Sequence, residues 1–186
     1  MAIEIKEVTS KKLLKDFIHL PARIHQNHSN WVPPIYMDEW TYFNPKKNKA
    51  FEHCTTILYL AFKDNIPVGR IMGIISHPYN IKNGISDARF CYFETFDNQE
   101  VYDALINAVS AWARKNNMNK IVGPLGFSDK DPQGWLTEGY DQPVVIASNC
   151  NFPYMNRMAE NLGFTKEVDL VVYKIPVPDE LPDFYK

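Results

Sequence analysis

The sequence predicts an α/β domain, and three features of the 186-residue chain carry this prediction. Residues 2–8 alternate apolar and charged side chains, which is the pattern of a half-buried strand. In mid-chain, two runs rich in β-branched and aromatic residues flank a turn at 64–67, which predicts an antiparallel hairpin. Residues 98–116 then carry an apolar stripe at helical spacing. The stripe consists of Val101, Leu105, Val109 and Trp112.

The first half of the chain leads from a strand and a helix to the hairpin. Thr9 and Ser10 can cap a helix whose apolar face runs toward Pro21. Residues 21–52 are rich in aromatic residues and proline, and we expect them to wrap the domain, with a helix over 35–43. The predicted hairpin strands are 54–63 and 68–76.

The second half alternates short strands with helices and ends in a proline-rich tail. The predicted elements are, in order, strand 88–96, helix 98–116, strand 120–123, strand 144–147, helix 154–161 and strand 164–175. Pro153 suits the first position of the second helix, and Gly163 suits its end. A long loop over 124–143 separates two of the strands. We therefore predict one domain over 1–175 and a tail, 176–186, whose prolines deny it regular structure.

Composition and charge narrow the function classes. The chain carries 20 basic and 22 acidic side chains, so no global positive field favours DNA, RNA or an anionic membrane. Three widely spaced cysteines disfavour a disulfide framework and suit a reducing compartment. The sequence has no apolar run of membrane-spanning length and no secretory signal layout at its N-terminus. We expect a cytoplasmic protein that binds a small molecule, has no nucleic-acid or membrane partner, and can form a homo-oligomer.

Several motifs together resemble a group of bacterial proteins of the GNAT acyltransferase superfamily. The set is Asn30–Pro34, Asn44–Asn48, Phe51–Cys54, Gly69–Ile71, Gly123–Gly126 and Gly134–Asp141. In addition, the sequence Asn-Leu-Gly-Phe at 161–164 lies where this superfamily has a Gly-Phe pair between its last helix and strand. The resemblance covers nearly the whole chain. It implies a GNAT-like mixed, mostly antiparallel sheet flanked by helices, in a short or one-domain member of the group.

The resemblance further implies an N-acyltransferase that moves an acyl group from acetyl-CoA or another acyl-CoA to an amine. Glu94 lies on the strand where many members carry a general base, and we expect its apolar neighbours to raise its pKa by desolvation. The alternative is a strand carboxylate paired with an Arg or Lys. Tyr154 is the second catalytic candidate, as the acid that protonates the departing thiolate. By analogy, the residues that bind the CoA thioester arm are Tyr92, Phe93, Thr95 and Asn151.

The chain departs from the superfamily at the pyrophosphate-binding loop. Members have a loop of small residues whose backbone N–H groups bind the pyrophosphate at a helix N-terminus. Here residues 97–100 contain no glycine and no basic side chain. Asp97 and Glu100 are expected to cap the helix and to repel a phosphate. Two alternatives to an enzyme therefore stay open: a catalytically inactive binding module for a small ligand or peptide, without CoA, and an interaction domain that seats a partner on exposed aromatic residues.

The loop over 124–143 is a further candidate for a functional segment. Its length, carboxylates and aromatic residues are typical of a binding loop. The candidate substrate-binding residues are Ser128, Asp129, Asp131, Trp135, Tyr140 and Asp141. The alternative is a cluster of Asx turns in which the aspartates bind their own backbone. We interpret His25 and His28 as a surface pair and expect no metal site, because the sequence places no carboxylate or cysteine near them.

Overall fold

The structure is a computed structural model that describes residues 2–180 and 183–185. The strands are β1 (Glu4–Glu7), β2 (Cys54–Lys63), β3 (Ile66–Ser76), β4 (Asp87–Thr95), β5 (Lys120–Val122), β6 (Gln133–Trp135) and β7 (Ser148–Asn149). The helices are α1 (Lys11–Ile24), α2 (Tyr36–Tyr42), α3 (His77–Asn83), α4 (Gln99–Lys115) and α5 (Pro153–Asn161). Of these, α3 is the one helix that the sequence analysis does not predict.

Five strands form a mixed sheet in the order β1-β2-β3-β4-β5. Strands β1 to β4 pair antiparallel, whereas β5 runs parallel to β4. Strands β6 and β7 form a separate parallel pair. The predicted mixed, mostly antiparallel sheet flanked by helices is therefore confirmed.

The predicted hairpin is the centre of the sheet. Asp64 and Asn65 join β2 to β3, and both have positive φ angles, 53° and 63°. Two such residues form the type I′ turn, whose twist matches that of the strands it joins, and Asn and Asp tolerate this conformation. The turn thereby fixes the register of β3, which carries Arg70 toward the functional site.

A β-bulge interrupts β4 near its C-terminal end. Arg70 pairs with Glu94 but Met72 pairs with Cys91, so two residues of β4 stand opposite one residue of β3. One of those two, Tyr92, has a positive φ angle of 46°. The extra residue bends the strand and shifts the alternation of its side chains.

Helices cover both faces of the sheet and bury two hydrophobic clusters. Residues Phe17, Ile18 and Leu20 of α1 pack on one face, where they join Cys91 and Tyr92 of β4. On the other face, Val101, Leu105 and Val109 of α4 pack against Phe90 and Phe93 of β4. Because of the bulge, consecutive residues Cys91 and Tyr92 both belong to the α1 face.

Helix caps agree with the sequence analysis for α1 and differ for α4. The Leu13 N–H donates to Ser10 Oγ at 3.2 Å, which confirms Ser10 as the N-cap of α1. At α4, the predicted capping by Asp97 is wrong: Asn98 is the N-cap, and its Oδ1 accepts from the Val101 N–H at 3.2 Å. Asp97 instead forms an ion pair with Arg157 of α5.

Two predicted strands are absent. Residues 144–147 have no strand structure, Ile146 is 97% exposed, and the short strand β7 follows them instead. Residues 164–175 also form no strand. Both runs are rich in β-branched residues, but a strand needs a ladder of hydrogen bonds as well as suitable composition. Among the described residues, 144–147 have a single bond to β6, from the Gln133 N–H to the Ala147 carbonyl oxygen at 3.0 Å, and 164–175 pair with no strand.

The tail predicted over 176–186 is only partly described. Asp183–Tyr185 forms one turn of 3₁₀ helix, contrary to the prediction that the prolines exclude regular structure. Leu181, Pro182 and Lys186 lie outside the described residues. In the part of the chain that the structure describes, no helix combines the length and the apolar character needed to cross a membrane.

Candidate functional site

The candidate site lies where β4 loses its neighbouring strand. β5 pairs only with Asp87, Ala88 and Arg89, and the edge of β4 beyond them has no strand beside it among the described residues. A narrow cleft opens there between Glu94 and Thr95 on one side and α5, with the residues just before it, on the other. The end of α1 closes the cleft from the third side with His25.

Glu94 is held at this cleft by two side chains from other elements. Arg70 Nη2 of β3 donates to Glu94 Oε1 at 2.7 Å, and Nε2 of His25, the residue after α1, lies 2.9 Å from Glu94 Oε2. Arg70 also donates to the Phe17 carbonyl oxygen at 2.9 Å. The side chains of His25 and Arg70 are 2% and 5% exposed, and that of Glu94 is 24% exposed. The guanidinium thus ties β3, β4 and α1 together around one carboxylate.

The pKa of Glu94 is lowered, not raised as predicted. Burial raises it, and this is the largest single effect, but Arg70 and His25 together outweigh burial and hold the pKa of Glu94 at about 2. The alternative interpretation from the sequence, a strand carboxylate paired with an arginine, describes this geometry. Glu94 is therefore ionised at neutral pH and is a weak base.

His25 and His28 form the part of the cluster that the sequence analysis misjudged. They are interpreted there as a surface pair, whereas His25 is 4% exposed and its Nδ1 lies 2.9 Å from His28 Nδ1. The carboxylate partner comes from β4 and is distant in sequence. Their spacing of three at the end of an amphipathic helix places both rings on one side of the chain, and the aromatic residues downstream are the signal that could have indicated burial.

Aromatic rings fix the orientation of both imidazoles. His25 stacks between Trp31 and Phe152, with ring centroids 5.1 Å away in each case. Phe152 also stacks on His28 at 4.3 Å and on Tyr154 at 5.1 Å. Stacked flat rings allow little rotation, so the hydrogen-bonding nitrogens keep a fixed direction. Burial, together with the neighbouring His25, lowers the pKa of His28 below its usual value.

Tyr154 lies in the same cleft as Glu94, as the catalytic prediction requires. Its hydroxyl donates to the Thr95 carbonyl oxygen at 2.9 Å. Burial, with smaller effects of the Asp97 and Glu94 charges, raises the pKa of Tyr154 above its usual range. A proton could leave this hydroxyl only if its hydrogen bond to β4 broke. The acid role stays a prediction.

The four candidate CoA-binding residues separate into two groups. Phe93, Thr95 and Asn151 line the cleft, although the ring of Phe93 packs in the core at 4.5 Å from Tyr102. Tyr92 lies on the α1 face, where it packs against Phe43. The bulge therefore directs the Tyr92 side chain away from the cleft.

Asn151 is 6% exposed and its amide is engaged with the chain. Its Oδ1 accepts from the Leu136 N–H at 2.7 Å, and its Nδ2 donates to the Phe152 carbonyl oxygen at 3.2 Å. Tyr140 belongs to the same network, since its hydroxyl donates to the Leu136 carbonyl oxygen at 2.6 Å. These bonds anchor the loop after β6 beside the cleft.

The remaining loop candidates do not meet at the cleft. Trp135 packs in the core, with its ring 6.0 Å from both Phe90 and Phe93. Asp131 accepts from the Ser128 N–H at 3.1 Å, so it binds the loop's own backbone, but three residues earlier and not two residues later as in an Asx turn. Asp129 and Asp141 are exposed. The substrate-binding role of these residues stays a prediction. Tyr140 is linked to the cleft residue Asn151 through the Leu136 backbone, which bonds to both side chains.

The residues present offer acid–base chemistry. Among residues 2–180 and 183–185, no group of three or more His, Cys, Asp or Glu side chains is placed to hold a metal ion. The N-terminus of α4 carries Glu100 in its first turn, and Asp97 precedes it with its charge paired to Arg157. A pyrophosphate at this helix end would meet one exposed guanidinium and two carboxylates.

Two curated proteins are similar to nearly all of this chain. It is 30% identical over 171 residues to the bacterial ceramide synthase of Caulobacter vibrioides, covering 91% of this chain and 44% of that protein. It is 27% identical over 169 residues to the protein YghO of Escherichia coli, covering 91% of this chain and 43% of that protein. The chain thus spans less than half of the length of these relatives. No family model matches it.

Solved structures with the same architecture are acetyltransferases. AAC(6')-Iy, in complex with a bisubstrate analogue of CoA, superposes with a TM-score of 0.56 at 15% identity, covering 95% of this chain and 100% of that one. A predicted acetyltransferase from Clostridium acetobutylicum, with acetyl-CoA, superposes with a TM-score of 0.56 at 14% identity, covering 93% of this chain and 96% of that one. A tandem GNAT protein from the clavulanic acid biosynthesis pathway gives 0.57 at 14% identity, covering 87% of this chain and 43% of that one. The chain therefore has the GNAT fold that its motifs predict.

Proposed function

We propose that this domain is an acyl-CoA-dependent N-acyltransferase whose acceptor is the amine of a long-chain amino alcohol. The observation that carries the proposal is the edge of β4 from Cys91 to Glu94, which has no strand beside it among the described residues and which leads to the Glu94–His25–His28 cluster. An extended thioester arm can lie along a free strand edge and present its carbonyl carbon to a proton-accepting group.

The relatives support this choice of acceptor. A ceramide is the amide of a fatty acid with a long-chain amino alcohol, so a ceramide synthase joins an acyl group to an amine. The similarity to the Caulobacter protein extends over 91% of this chain. Solved neighbours in complex with acetyl-CoA or a CoA analogue support the donor class.

Exposed apolar residues on the segment after Trp31 and on the segment before β7 support a long-chain acceptor. Val32 and Ile35, which follow Trp31, are 81% and 67% exposed, and Ile146, shortly before β7, is 97% exposed. The two segments are joined, because Asn30 Nδ2 donates to the Tyr140 carbonyl oxygen at 3.0 Å. A rim of exposed aliphatic side chains beside a polar cleft matches a ligand with a hydrocarbon chain and a polar head.

The reaction class fixes what the site must do. The amine nitrogen attacks the thioester carbonyl carbon, the carbon–sulfur bond breaks, and one proton passes from nitrogen to the leaving sulfur. Glu94 is the carboxylate that we propose drives this transfer. Both of its oxygens already accept hydrogen bonds, so it acts through His25 and not by direct contact with the amine.

The test is a transfer assay with the purified protein, palmitoyl-CoA or acetyl-CoA as donor, and sphinganine as acceptor. We expect release of free CoA thiol and an N-acylated product identified by mass spectrometry. The Glu94→Gln variant should bind CoA as the parent protein does and turn over at least about 10²-fold more slowly. The matched control is Glu4→Gln, which changes an exposed carboxylate on β1 and should leave turnover unchanged.

The contrary result would be an absence of CoA and acyl-CoA binding in isothermal titration at up to about 1 mM ligand, the upper end of common Michaelis constants. That outcome would favour the binding-module alternative. The observation that supports this alternative is the α4 N-terminus, where Asp97 and Glu100 stand in place of a phosphate-binding loop. Unchanged turnover in Glu94→Gln would remove Glu94 from the site.

A further inference from the structure

Three side chains form a continuous hydrogen-bonded chain that begins at the cleft, which Glu94 and His25 line, and ends at His28 beside it. Glu94 Oε2 lies 2.9 Å from His25 Nε2, and His25 Nδ1 lies 2.9 Å from His28 Nδ1. His25 is buried, whereas His28 is only partly buried. The remaining ring nitrogen of His28, Nε2, has only the Cys150 sulfur near it, at 3.9 Å, among the described residues.

Hydrogen-bonding chemistry assigns the protons in this chain. Glu94 is ionised and can only accept, so His25 Nε2 must carry a hydrogen. In neutral His25, Nδ1 is then an acceptor, and the hydrogen between the two rings belongs to His28 Nδ1. A neutral His28 that carries its hydrogen on Nδ1 has its lone pair on Nε2. The tautomer of the outer imidazole is thus set by a carboxylate with which it has no direct contact.

We propose that His28 is the general base of the acyl transfer and that His25 and Glu94 are positioning residues that act through it. This inference rests on the proposed N-acyltransferase function and names the group that contacts the amine. Nε2 of His28 accepts the proton that the amine loses as its nitrogen bonds to the thioester carbon. The same imidazolium then returns the proton to the sulfur as the carbon–sulfur bond breaks, which balances the step without a second acid.

The relay stabilises the charge that forms in this step. When His28 Nε2 accepts a proton, its Nδ1 proton can shift to His25 Nδ1, and the positive charge then lies beside the Glu94 carboxylate. An ion pair that forms inside a poorly solvated site is stronger than one in water. Stacking of Phe152 on both rings keeps the two nitrogens aligned while the charge moves.

The local charges are consistent with a neutral base at rest. The titratable groups that face His28 are His25 after α1, Cys150 before α5 and, through His25, Glu94 of β4. Burial is the larger of the two causes that lower the pKa of His28, and His25 is the other. Burial also raises the pKa of the Cys150 thiol, so this sulfur stays protonated and adds no competing charge.

The first experiment is independent of activity. Two-dimensional ¹H–¹⁵N spectra of histidine-labelled protein at about pH 8, above the usual histidine pKa, distinguish the two tautomers. We expect the Nε2–H form for His25 and the Nδ1–H form for His28. In His25→Phe, which keeps a flat ring in the stack but removes both hydrogen bonds, His28 should lose its preference for the Nδ1–H form.

The second experiment measures transfer from palmitoyl-CoA to sphinganine. His28→Ala should lower kcat by about 10²- to 10³-fold with little change in KM, and added imidazole should restore part of the rate. His25→Phe and Glu94→Gln should lower kcat although His28 is still present. The matched control is His53→Ala, which removes an exposed imidazole before β2 and should leave kcat unchanged.

The possible outcomes separate this inference from the proposed function. An Nε2–H tautomer for His28, or a parent-like kcat in His28→Ala, would overturn the base assignment even where the protein is an active transferase. The expected tautomers in a protein that transfers no acyl group would overturn the proposed function and, with it, the catalytic use of the relay. The expected tautomers together with imidazole rescue support both.

Discussion

At the scale of single residues, Glu94 links stability to pH. Its pKa in the folded protein is about 2, compared with 4.5 for a free glutamate side chain. A carboxyl group with a lowered folded pKa stabilises the folded state fully above its unfolded pKa and loses this contribution as pH falls toward the folded pKa. We therefore expect the free energy of unfolding to fall between about pH 4.5 and pH 2. Urea denaturation at several pH values measures this.

The Glu94→Gln variant provides the comparison for that experiment. Its stability should depend less on pH in the same window, because the titrating group has been removed. Glu4→Gln should keep the slope of the parent protein, since Glu4 is exposed and its ion pair with Lys6 lies in solvent. Equal slopes in all three proteins would show that the pKa of Glu94 is not lowered in the folded protein.

Arg70 provides a second prediction at this scale. Arg70→Met leaves Glu94 with His25 as its one remaining partner and frees the Phe17 carbonyl oxygen. Removing one member of a buried ion pair destabilises proteins by roughly 3–5 kcal/mol, and the exposure of Glu94 places the expected loss at the lower end. Urea denaturation measures the loss.

A matched pair of variants separates charge from packing at Arg70. Arg70→Lys keeps the charge but lacks the planar fork that donates to two acceptors at once, so it should recover only part of the stability. Combining Arg70→Met with Glu94→Gln should be less destabilising than the sum of the two, because no buried charge then remains unpaired. An Arg70→Met protein as stable as the parent would contradict the ion pair.

Sequence reasoning identified Glu94 but not its surroundings. The residues next to it, Tyr92 and Phe93, are apolar and indicate desolvation. The two groups that decide its pKa come from positions 24 and 69 residues away along the chain. Local sequence holds no information about which side chains the tertiary fold brings to a given atom, and this is also why His25 was interpreted as exposed.

At the scale of elements, Gly123 sets how closely the chain crosses β4. A Cβ atom at this position would lie 2.4 Å from the Phe90 carbonyl oxygen, and Leu125 just beyond donates to that oxygen at 2.8 Å. Backbone cannot move aside as a side chain can. Gly123→Ala should therefore destabilise the fold by about 1–3 kcal/mol, toward the upper end, as measured by urea denaturation.

Gly126→Ala is the matched control for Gly123→Ala. Its added Cβ would lie 2.5 Å from the Asp131 Cβ and 2.6 Å from its Oδ2, in a loop outside the five-stranded sheet that can adjust more easily than the β4 backbone. We expect a smaller loss of stability than at Gly123. Equal losses at the two glycines would mean that contact with the β4 backbone is not the constraint.

A variant at the start of α4 tests whether the phosphates of CoA bind near this helix N-terminus. Asp97→Asn removes a carboxylate next to the helix N-terminus and releases Arg157 from its ion pair. Charge effects at a helix end correspond to about a two- to fivefold change in affinity. We expect CoA to bind Asp97→Asn about two- to fivefold more tightly in isothermal titration.

The control for this change is Glu138→Gln, at an exposed position in the loop before β7. CoA affinity should be unchanged in this variant. Unaltered or weaker binding in Asp97→Asn would show that the CoA phosphates do not lie near the N-terminus of α4.

Elements differed in how well the sequence predicted them. Those with a periodic pattern and a partner, such as β2, β3 and α4, formed within a few residues of the predicted bounds. Residues 144–147 and 164–175 have the composition of strands but no pairing neighbour among the described residues. A sequence pattern indicates that a segment can form a strand, but not whether the fold supplies a neighbouring strand for it to pair with.

At the scale of the whole molecule, the protection of backbone amides against hydrogen exchange should differ between segments. Residues 168–178 are exposed and lie in no helix or strand, whereas β2, β3 and β4 form the buried centre of the sheet. Hydrogen exchange followed by mass spectrometry should show amides of 168–178 exchanging at the rate of a free chain, and those of the central strands exchanging far more slowly.

Concentration dependence serves as the control for that measurement. Many side chains in 168–178 are apolar and β-branched, so pairing with a second copy would protect their amides as the protein concentration rises. Fast exchange at every concentration agrees with the structure. Slow exchange even in dilute protein would show that the segment is paired as a strand after all.

The overall fold could be predicted because its determinants are spread along the chain. The alternating N-terminal strand, the hairpin and the amphipathic helix each indicate their own structure, and together they leave few arrangements of one sheet with helices on both faces. The site depends instead on a few exact juxtapositions between distant segments, of which the meeting of α1 with the end of β4 is the decisive one.

The bulge in β4 adds Tyr92 to the strand without changing the face on which Glu94 lies. Cys91 lies on the α1 face, Phe93 on the α4 face and Glu94 beside Arg70, so Tyr92 is the residue that strict alternation does not need. A chain without Tyr92 would pair Cys91 and Glu94 with β3 in unbroken alternation and would keep this carboxylate beside Arg70. A single-residue gap at Tyr92 in a relative would therefore straighten the strand without removing the carboxylate from the site.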